Sequence, residues 1–475
     1  MSHLPRNLPG RPRGIYTNRT LNLRSIKAIG YDMDYTLVHY HVDAWEGHAY
    51  EHTRQKLLER GWPVAHLEFD PKAAMRGLIV DKKLGNLLKV NRFGYIKRAA
   101  HGTGLMDYRT MRRTYQRTIV ELDNPRFYFL NTLFSISEAC IYSQVVELFD
   151  EGKIPDVETY TDLYEAVRNA LDAAHIEGVM KAEIMANPED YVDLDPEMPL
   201  ALLDQKEAGK RLVVITNSEW SYTKFMLSYA FDQFLPGDMT WQDLFEITVV
   251  SSRKPSFFNG NNPMLEVDVA TGMLKEFVGG LKSGGIYFGG SASRIEKYLG
   301  CSGDQILYVG DHLFTDVNVT KSVLRWRTAL IMRELEQELV ALDAARSNQE
   351  KIARMMERKE LLEDDYSQLR LALQRLESGY GPQPSSSVEV LKSEMADVRE
   401  DLVALDDRIA PLVIEDGHLF NPRWSYLLRT GKDKSHLTRQ MERYADIYTS
   451  RVSNFLYYTP FMYFRAPKGS IPHDN

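Results

Sequence analysis

The chain has 475 residues, 44% of them apolar and 26% charged, with a formal net charge of -8. That length suits two or three domains, and the composition is that of a globular protein. The acidic balance argues against nucleic acid as a bulk partner but leaves room for a local basic pocket that takes a small anion. Two cysteines, Cys140 and Cys301, are too few for a disulfide framework or a zinc site, and fit a reducing interior. No stretch reaches the roughly 18 apolar residues of a membrane helix. Residues 1–19 are basic and proline-rich, lack an apolar signal core, and are expected to form an arm on the surface or on a neighbouring subunit.

The first informative stretch is Lys27-Ala-Ile-Gly-Tyr-Asp-Met-Asp-Tyr-Thr-Leu-Val38. An apolar strand ends at Tyr31, and Asp32 and Asp34 follow at alternate positions. Such a pair holds a cation, divides nucleophile and acid/base roles, or caps a turn. His39, Tyr40 and His41 line the mouth of a pocket or pack beneath it. Tyr50 to Gly61 reads as a helix ending at glycine. Leu78–Val80 and Leu87–Val90 read as a hairpin around Gly85-Asn86. Lys82, Lys83, Lys89, Arg92, Lys97 and Arg98 surround it, either meeting an anion or coating exposed strand faces.

Arg109 to Arg117 is strongly basic, and Phe127 to Phe134 is densely aromatic. Helices are expected over Ser137–Phe149 and Thr161–Ile176. In the second, Leu163, Val167, Ala170, Leu171 and Ala174 recur at helical spacing. Arg168 and Asp172 share its other face and can pair, with His175 near its end. After a helix over Pro199–Gly209, Leu212–Ile215 is a continuous apolar run that ends in Thr216, Asn217 and Ser218. This is the pattern of a buried parallel strand, and active sites of open α/β sheets lie at such carboxyl ends. Thr216 and Ser218 can donate hydrogen bonds to phosphate oxygens. A helix over Ser221–Tyr229 would add free backbone N–H groups.

Trp241 to Val250 reads as a helix leading into a short strand. Lys254 lies just beyond it and before Pro255, on a loop, where it is a suitable counter-charge for phosphate. Asn259 to Gly290 is glycine-rich and reads as hairpin and loop; its glycines do not form a dinucleotide fingerprint. Ser293–Leu299 is helical. Ile306–Val309 is a further buried strand, with Asp311 at its tip and Asp316 in the following loop. Four acids at two strand tips, with Thr216 and Lys254 at two others, require a cation or shifted pKa values. Oxygen-only ligands point to Mg²⁺. Glu334–Leu376 and Val388–Leu412 read as a long helical hairpin or short coiled coil broken at Gly379–Ser387. The aromatic run Phe455–Phe464 is expected to be buried against the body or another subunit.

Taken in order, Asp32-Met-Asp-Tyr-Thr-Leu, Ile215-Thr-Asn-Ser, Arg253-Lys-Pro and Gly310-Asp-His-Leu-Phe-Thr-Asp316 resemble the four signatures of the haloacid-dehalogenase-like phosphohydrolases. Gly85-Asn-Leu-Leu-Lys-Val, Asn131-Thr-Leu-Phe134, the Arg168, Asp172, His175, Lys181 series and Tyr463-Phe-Arg465 resemble the cytosolic purine 5'-nucleotidase group within them. Ser135 stands where members of that group carry a second asparagine.

The resemblance implies an α/β fold: a mostly parallel HAD-like sheet flanked by helices, with an inserted cap and a C-terminal helical hairpin. Expected segments are 1–100 (arm and first part of the core), 101–195 (cap), 196–330 (main core), 331–415 (hairpin) and 416–475 (C-terminal segment on the core or a subunit interface). It further implies Mg²⁺-dependent hydrolysis of IMP, GMP and their deoxy forms in preference to AMP, with phosphotransfer to nucleosides as a side path. Asp32 would be the nucleophile and Asp34 the acid/base. Asp32, Asp34 and Asp311 would hold the metal, supported by Asp316. Thr216 and Lys254 would grip phosphate, beside Asn217 and Ser218. Asn131, Phe134, Arg168, Asp172, His175 and Lys181 would meet base and sugar. A cytoplasmic homotetramer or dimer with a purine nucleotide effector is implied, with no nucleic acid and no membrane partner. A phosphatase for another small phosphomonoester, and a non-catalytic oligomeric scaffold with a phosphatase-like body, are the alternatives.

Overall fold

Alternate residues of Leu212–Ile215 face opposite sides of a sheet, and both sides are apolar. Leu212 and Val214 pack with Ile29, Tyr31, Leu307 and Val309, while Val213 and Ile215 pack with Ala28, Ile247, Ile306 and Tyr308. Burial on both faces makes these short apolar runs the centre of a parallel sheet. The computed structural model describes residues 9–176 and 178–469; the side chains of 174–176 and 179 lie outside that description.

The sheet has ten strands. Its centre is Ala28–Tyr31, flanked by Ile306–Gly310 and Arg211–Ile215, all parallel. Beyond them Ile247–Val250 and Gly285–Gly289 continue on one side, and Arg327–Ile331 and Ile447–Thr449 on the other, again parallel. Tyr16–Thr17, Met264–Val267 and Leu274–Glu276 add antiparallel edges. Tyr31 stands in register with both Val214 and Val309, so Asp32, Asp311 and Thr216 leave the sheet side by side. Gly30 is needed for close approach, because a Cβ there would lie 2.8 Å from the ring of Tyr308.

A second, antiparallel sheet is built from Ile79–Asp81, Asn86–Val90, Ile96–His101, Gly104–Leu105 and Phe127–Phe129. The expected border at residue 100 falls inside its strand Ile96–His101. Helices Val42–Glu59, Ile136–Asp150 and Tyr160–Ile176 pack together beside it. The buried carboxylate of Glu46 accepts from the backbone N–H of Ser137 (2.8 Å) and its hydroxyl (2.7 Å), which joins the first two of these helices.

Helices Leu335–Ser378 and Val388–His418 make the expected hairpin, and residues 337–426 form a compact unit of their own. Within it Leu362, Leu405 and Ile409 pack with Ile352, Met355, Met356 and Leu402. Among the described residues, no helix is long and apolar enough to cross a membrane.

Residues 9–19 lie along the body: Tyr16–Thr17 is an edge strand of the main sheet, and Arg13 pairs with Glu197 at 2.6 Å. In the tail Phe455 and Phe464 are enclosed and Phe461 is exposed.

Asp446 ties these distant segments together. Its fully buried carboxylate meets Lys321 at 2.8 Å, Arg327 at 3.0 Å and the Thr328 N–H at 2.9 Å. Its carbonyl accepts from Asn18 and Arg19. Asp446→Ala would leave buried donors unpaired and should cost about 3–5 kcal/mol. Urea unfolding measures this; a loss below about 1 kcal/mol would mean that the pairs are no stronger than exposed ones.

Candidate active site

Four strand ends converge on Lys254. The loop that carries it leaves the Ile247–Val250 strand and is held by Asn217, whose side-chain carbonyl accepts from the Lys254 N–H (2.6 Å) and the Ser252 hydroxyl (2.9 Å). The buried Lys254 ammonium lies 2.7 Å from Asp32 and 2.8 Å from Asp316. It also reaches the Tyr308 hydroxyl at 3.3 Å, which in turn donates to the Ile215 carbonyl at 3.1 Å. Burial alone would lower the lysine's pKa; Asp316 and Asp32 outweigh that and hold it well above its ordinary value.

The same burial acts on the acids. Asp32 is pushed up to about 7 by desolvation and by Asp316, against the pull of Lys254. Asp311 is also raised well above its ordinary value, by burial and then by Asp316 and Asp32. Carboxylate oxygens of Asp32, Asp311 and Asp316 lie within 4.8 Å of one another. Three carboxylates against one ammonium leave a surplus of negative charge in a desolvated place. An all-oxygen donor set of this kind fits a hard divalent cation.

Asp316 is not in a loop as expected but in the helical turn Leu313–Asn318. This turn folds the carboxylate back over Gly310, where a Cβ would lie 2.5 Å from it. The His312 N–H donates to it at 3.2 Å.

Asp34 occupies a separate, half-buried position. It accepts from the Tyr40 hydroxyl at 2.5 Å and the Ser218 hydroxyl at 2.8 Å. Burial raises its pKa against the attraction of Lys181. Lys181 donates to Ser218 at 3.2 Å and to Glu219 at 2.8 Å. Thr216 is fully buried and its hydroxyl accepts from the Ser218 N–H at 3.0 Å. Tyr40 is buried, and its hydroxyl also meets that of Tyr222 at 3.1 Å. His39 is buried with both ring nitrogens unpartnered, and burial pulls its pKa down to about 3.

The remaining predicted residues are less closely joined. Asn131 is buried, and its amide donates to the Phe129 carbonyl at 3.2 Å while its oxygen has no partner. Phe134 packs edge-on against Tyr35 and Trp45. Arg168 is engaged by Glu138 at 2.8 Å and the Tyr128 hydroxyl at 3.1 Å, with exposed Asp172 beside it. The His175 side chain lies outside the described residues.

Arg76 and Thr132 were not anticipated. Arg76 is buried, donates to the Asn131 carbonyl at 3.0 Å and also reaches the Asp311 carbonyl. Thr132 donates to the Asp311 carboxylate at 3.3 Å. A basic residue before Gly77 and a threonine beside Asn131 carry no local mark of these partners, which are distant in sequence.

The profile of the 5' nucleotidase family matches residues 15–475. The chain is also similar to a 5'-nucleotidase domain-containing protein of Dictyostelium discoideum, 25% identical over 98% of this chain and 75% of that protein. The chain belongs to the 5' nucleotidase family.

The close approach at Gly310 gives a direct test of the acidic cluster. Gly310→Ala should displace Asp316 and weaken binding of a divalent cation at the cluster, probed with Mg²⁺, by about tenfold or more, as expected when a group supporting a metal ligand set is lost. Calorimetric titration with Mg²⁺ reads this out; unchanged affinity would place Asp316 outside the metal's surroundings.

Proposed function

From family membership and this geometry, we propose that the protein is a Mg²⁺-dependent 5'-nucleotidase that hydrolyses purine nucleoside 5'-monophosphates. IMP, GMP and their deoxy forms are its preferred substrates over AMP. The observation that carries the reading is the division of two neighbouring carboxylates. Asp32 is paired to a lysine at 2.7 Å, whereas Asp34 is bonded to hydroxyls and inclined to hold a proton.

Asp32 attacks phosphorus through a carboxylate oxygen. The new O–P bond forms as the bond to the nucleoside O5' breaks, and Asp34 gives its proton to that oxygen. The aspartyl-phosphate is then hydrolysed by water, which loses a proton to Asp34. A nucleoside hydroxyl competing with water gives phosphotransfer. Thr216 and Lys254 hold the phosphoryl oxygens, and Asn217 keeps Lys254 in place. Asp32, the Asp34 backbone carbonyl and Asp311 would hold Mg²⁺, with Asp316 in support; when bound, it offsets the repulsion between carboxylate and phosphate.

Base selection rests on Asn131, Phe134, Arg168, Asp172, His175 and Lys181. The unpartnered, buried Asn131 oxygen supports a polar contact with the substrate. Arg168 is preoriented by Glu138 and Tyr128, and an arginine suits the O6 and N7 acceptors of hypoxanthine and guanine. The adenine amine would meet the Arg168 guanidinium donor-to-donor where O6 accepts, which disfavours AMP. A homotetramer or dimer, and activation by a purine nucleotide, belong to the same reading.

Phosphate release from IMP, GMP, AMP, UMP and glucose 6-phosphate, with Mg²⁺ and with EDTA, tests it. IMP and GMP should be hydrolysed fastest, and EDTA should abolish release. Asp34→Asn should lower kcat on IMP by about 10²–10⁴-fold, the usual worth of a positioned acid/base. Equal rates on every substrate would retain the phosphatase core and remove the purine assignment.

A further inference from the structure

Outside the acidic cluster, a second group of metal-ligating side chains joins two helices. His48 and His52 are four residues apart on the helix Val42–Glu59 and share one face. Their rings meet edge-on with centroids 4.6 Å apart. Glu183, on the helix Val179–Ala186, places one carboxylate oxygen 2.8 Å from His48 Nε2 and 3.7 Å from His52 Nε2. One ligand atom from each of the three lies within 4.8 Å of the others. We propose that His48, His52 and Glu183 form a binding site for a borderline transition metal of the Zn²⁺ class, which clips these two helices together.

Two imidazole nitrogens and one carboxylate oxygen are a common zinc set, with a fourth position left for water. Bonds of 2.0–2.2 Å at a tetrahedral centre put ligand atoms about 3.3 Å apart, and the two contacts of Glu183 bracket that value. Imidazole ligands favour zinc-like metals over Mg²⁺, so the site differs in kind from the all-oxygen cluster. An ordinary ion pair is the competing account. His48 Nε2 is closed to solvent and meets only the Glu183 carboxylate, at 2.8 Å, among the described residues. A cation between the three side chains would take one ligand atom from each.

The string His48-Ala-Tyr-Glu-His52 also has the spacing of a zinc peptidase motif in which the glutamate activates water. Here Glu51 is paired with Arg54 at 3.1 Å and is half exposed. The site is accordingly assigned a structural role, not a hydrolytic one. Its consequence lies in Lys181. This residue belongs to the same short helix as Glu183 and contacts Ser218, the hydrogen-bond donor to Asp34. Fixing that helix fixes Lys181 beside the acid/base residue.

The test uses the full chain in wild-type form and with Asp311→Asn, which disables the acidic cluster. Zn²⁺ is titrated against a chromophoric chelator, and Co²⁺ is added separately to record its visible spectrum. One Zn²⁺ should bind per chain in both backgrounds, and Co²⁺ should give the absorption of a tetrahedral nitrogen-oxygen site. His52→Ala and Glu183→Gln should each weaken binding by more than the roughly 10–100-fold that loss of a supporting residue costs. Zn²⁺ should slow amide hydrogen exchange over residues 179–186 in the wild type and not in His52→Ala. His52 and Glu183 are partly exposed, so these variants should fold, which circular dichroism checks. Equal binding by the variants, loss of binding with Asp311→Asn, or unchanged exchange on Zn²⁺ addition would each overturn the proposal.

Discussion

Lys254 is the constraint on which the centre of this molecule depends. Each carboxylate taken out of water carries a penalty of several kcal/mol. Asp32, Asp311 and Asp316 are all buried, and their oxygens crowd one small volume. The ammonium between Asp32 and Asp316 is the counter-charge that makes this arrangement tolerable. The rest of the neighbourhood keeps that ammonium in place. Gly30 admits the Tyr308 ring, the Tyr308 hydroxyl meets Lys254, and Asn217 holds the backbone of the Lys254 loop.

The parallel sheet explains why such distant residues meet. Adjacent parallel strands end at the same side, so residues at their tips converge without regard to separation in the chain. The Tyr31 register with Val214 and Val309 carries Asp32, Thr216 and Asp311 to one place. Asp34 lies just beyond the strand and is taken over by different neighbours, Tyr40 and Ser218. The same two-residue spacing thus yields one acid paired with a cation and another bonded to hydroxyls. Environment, not residue type, separates their chemistry.

The central strands were legible because their signal is local. A short apolar run followed at once by Asp, Thr or Gly-Asp states both burial and the point of exit, as in Leu212–Ile215 and Ile306–Gly310. Helices with a clear apolar face, such as Tyr160–Ile176, were equally readable. Other features depend on partners that no short window contains. Asp316 lies six residues past Gly310 and reads as loop, yet the chain coils immediately and returns it to Lys254. Arg168 pairs with Asp172 as its spacing suggests, but Glu138 and Tyr128 also hold it. Nothing within the basic residues 9–19 marks Tyr16–Thr17 as a strand, because the strand that accepts it lies near the other end of the chain. His48 and His52 pass for ordinary surface histidines until Glu183 is brought against them.

The central claim is that Asp32 takes the phosphoryl group covalently while Asp34 handles protons. The most direct measurement is an acid quench of the protein turning over IMP labelled with ³²P, followed by peptide mapping. The account predicts acid-stable, hydroxylamine-labile label on the peptide containing Asp32, with greater accumulation in Asp34→Asn under conditions where the second step is slowed more than the first. Turnover with no label on that peptide at any quench time, together with net inversion rather than retention at phosphorus in a chirally labelled substrate, would contradict it.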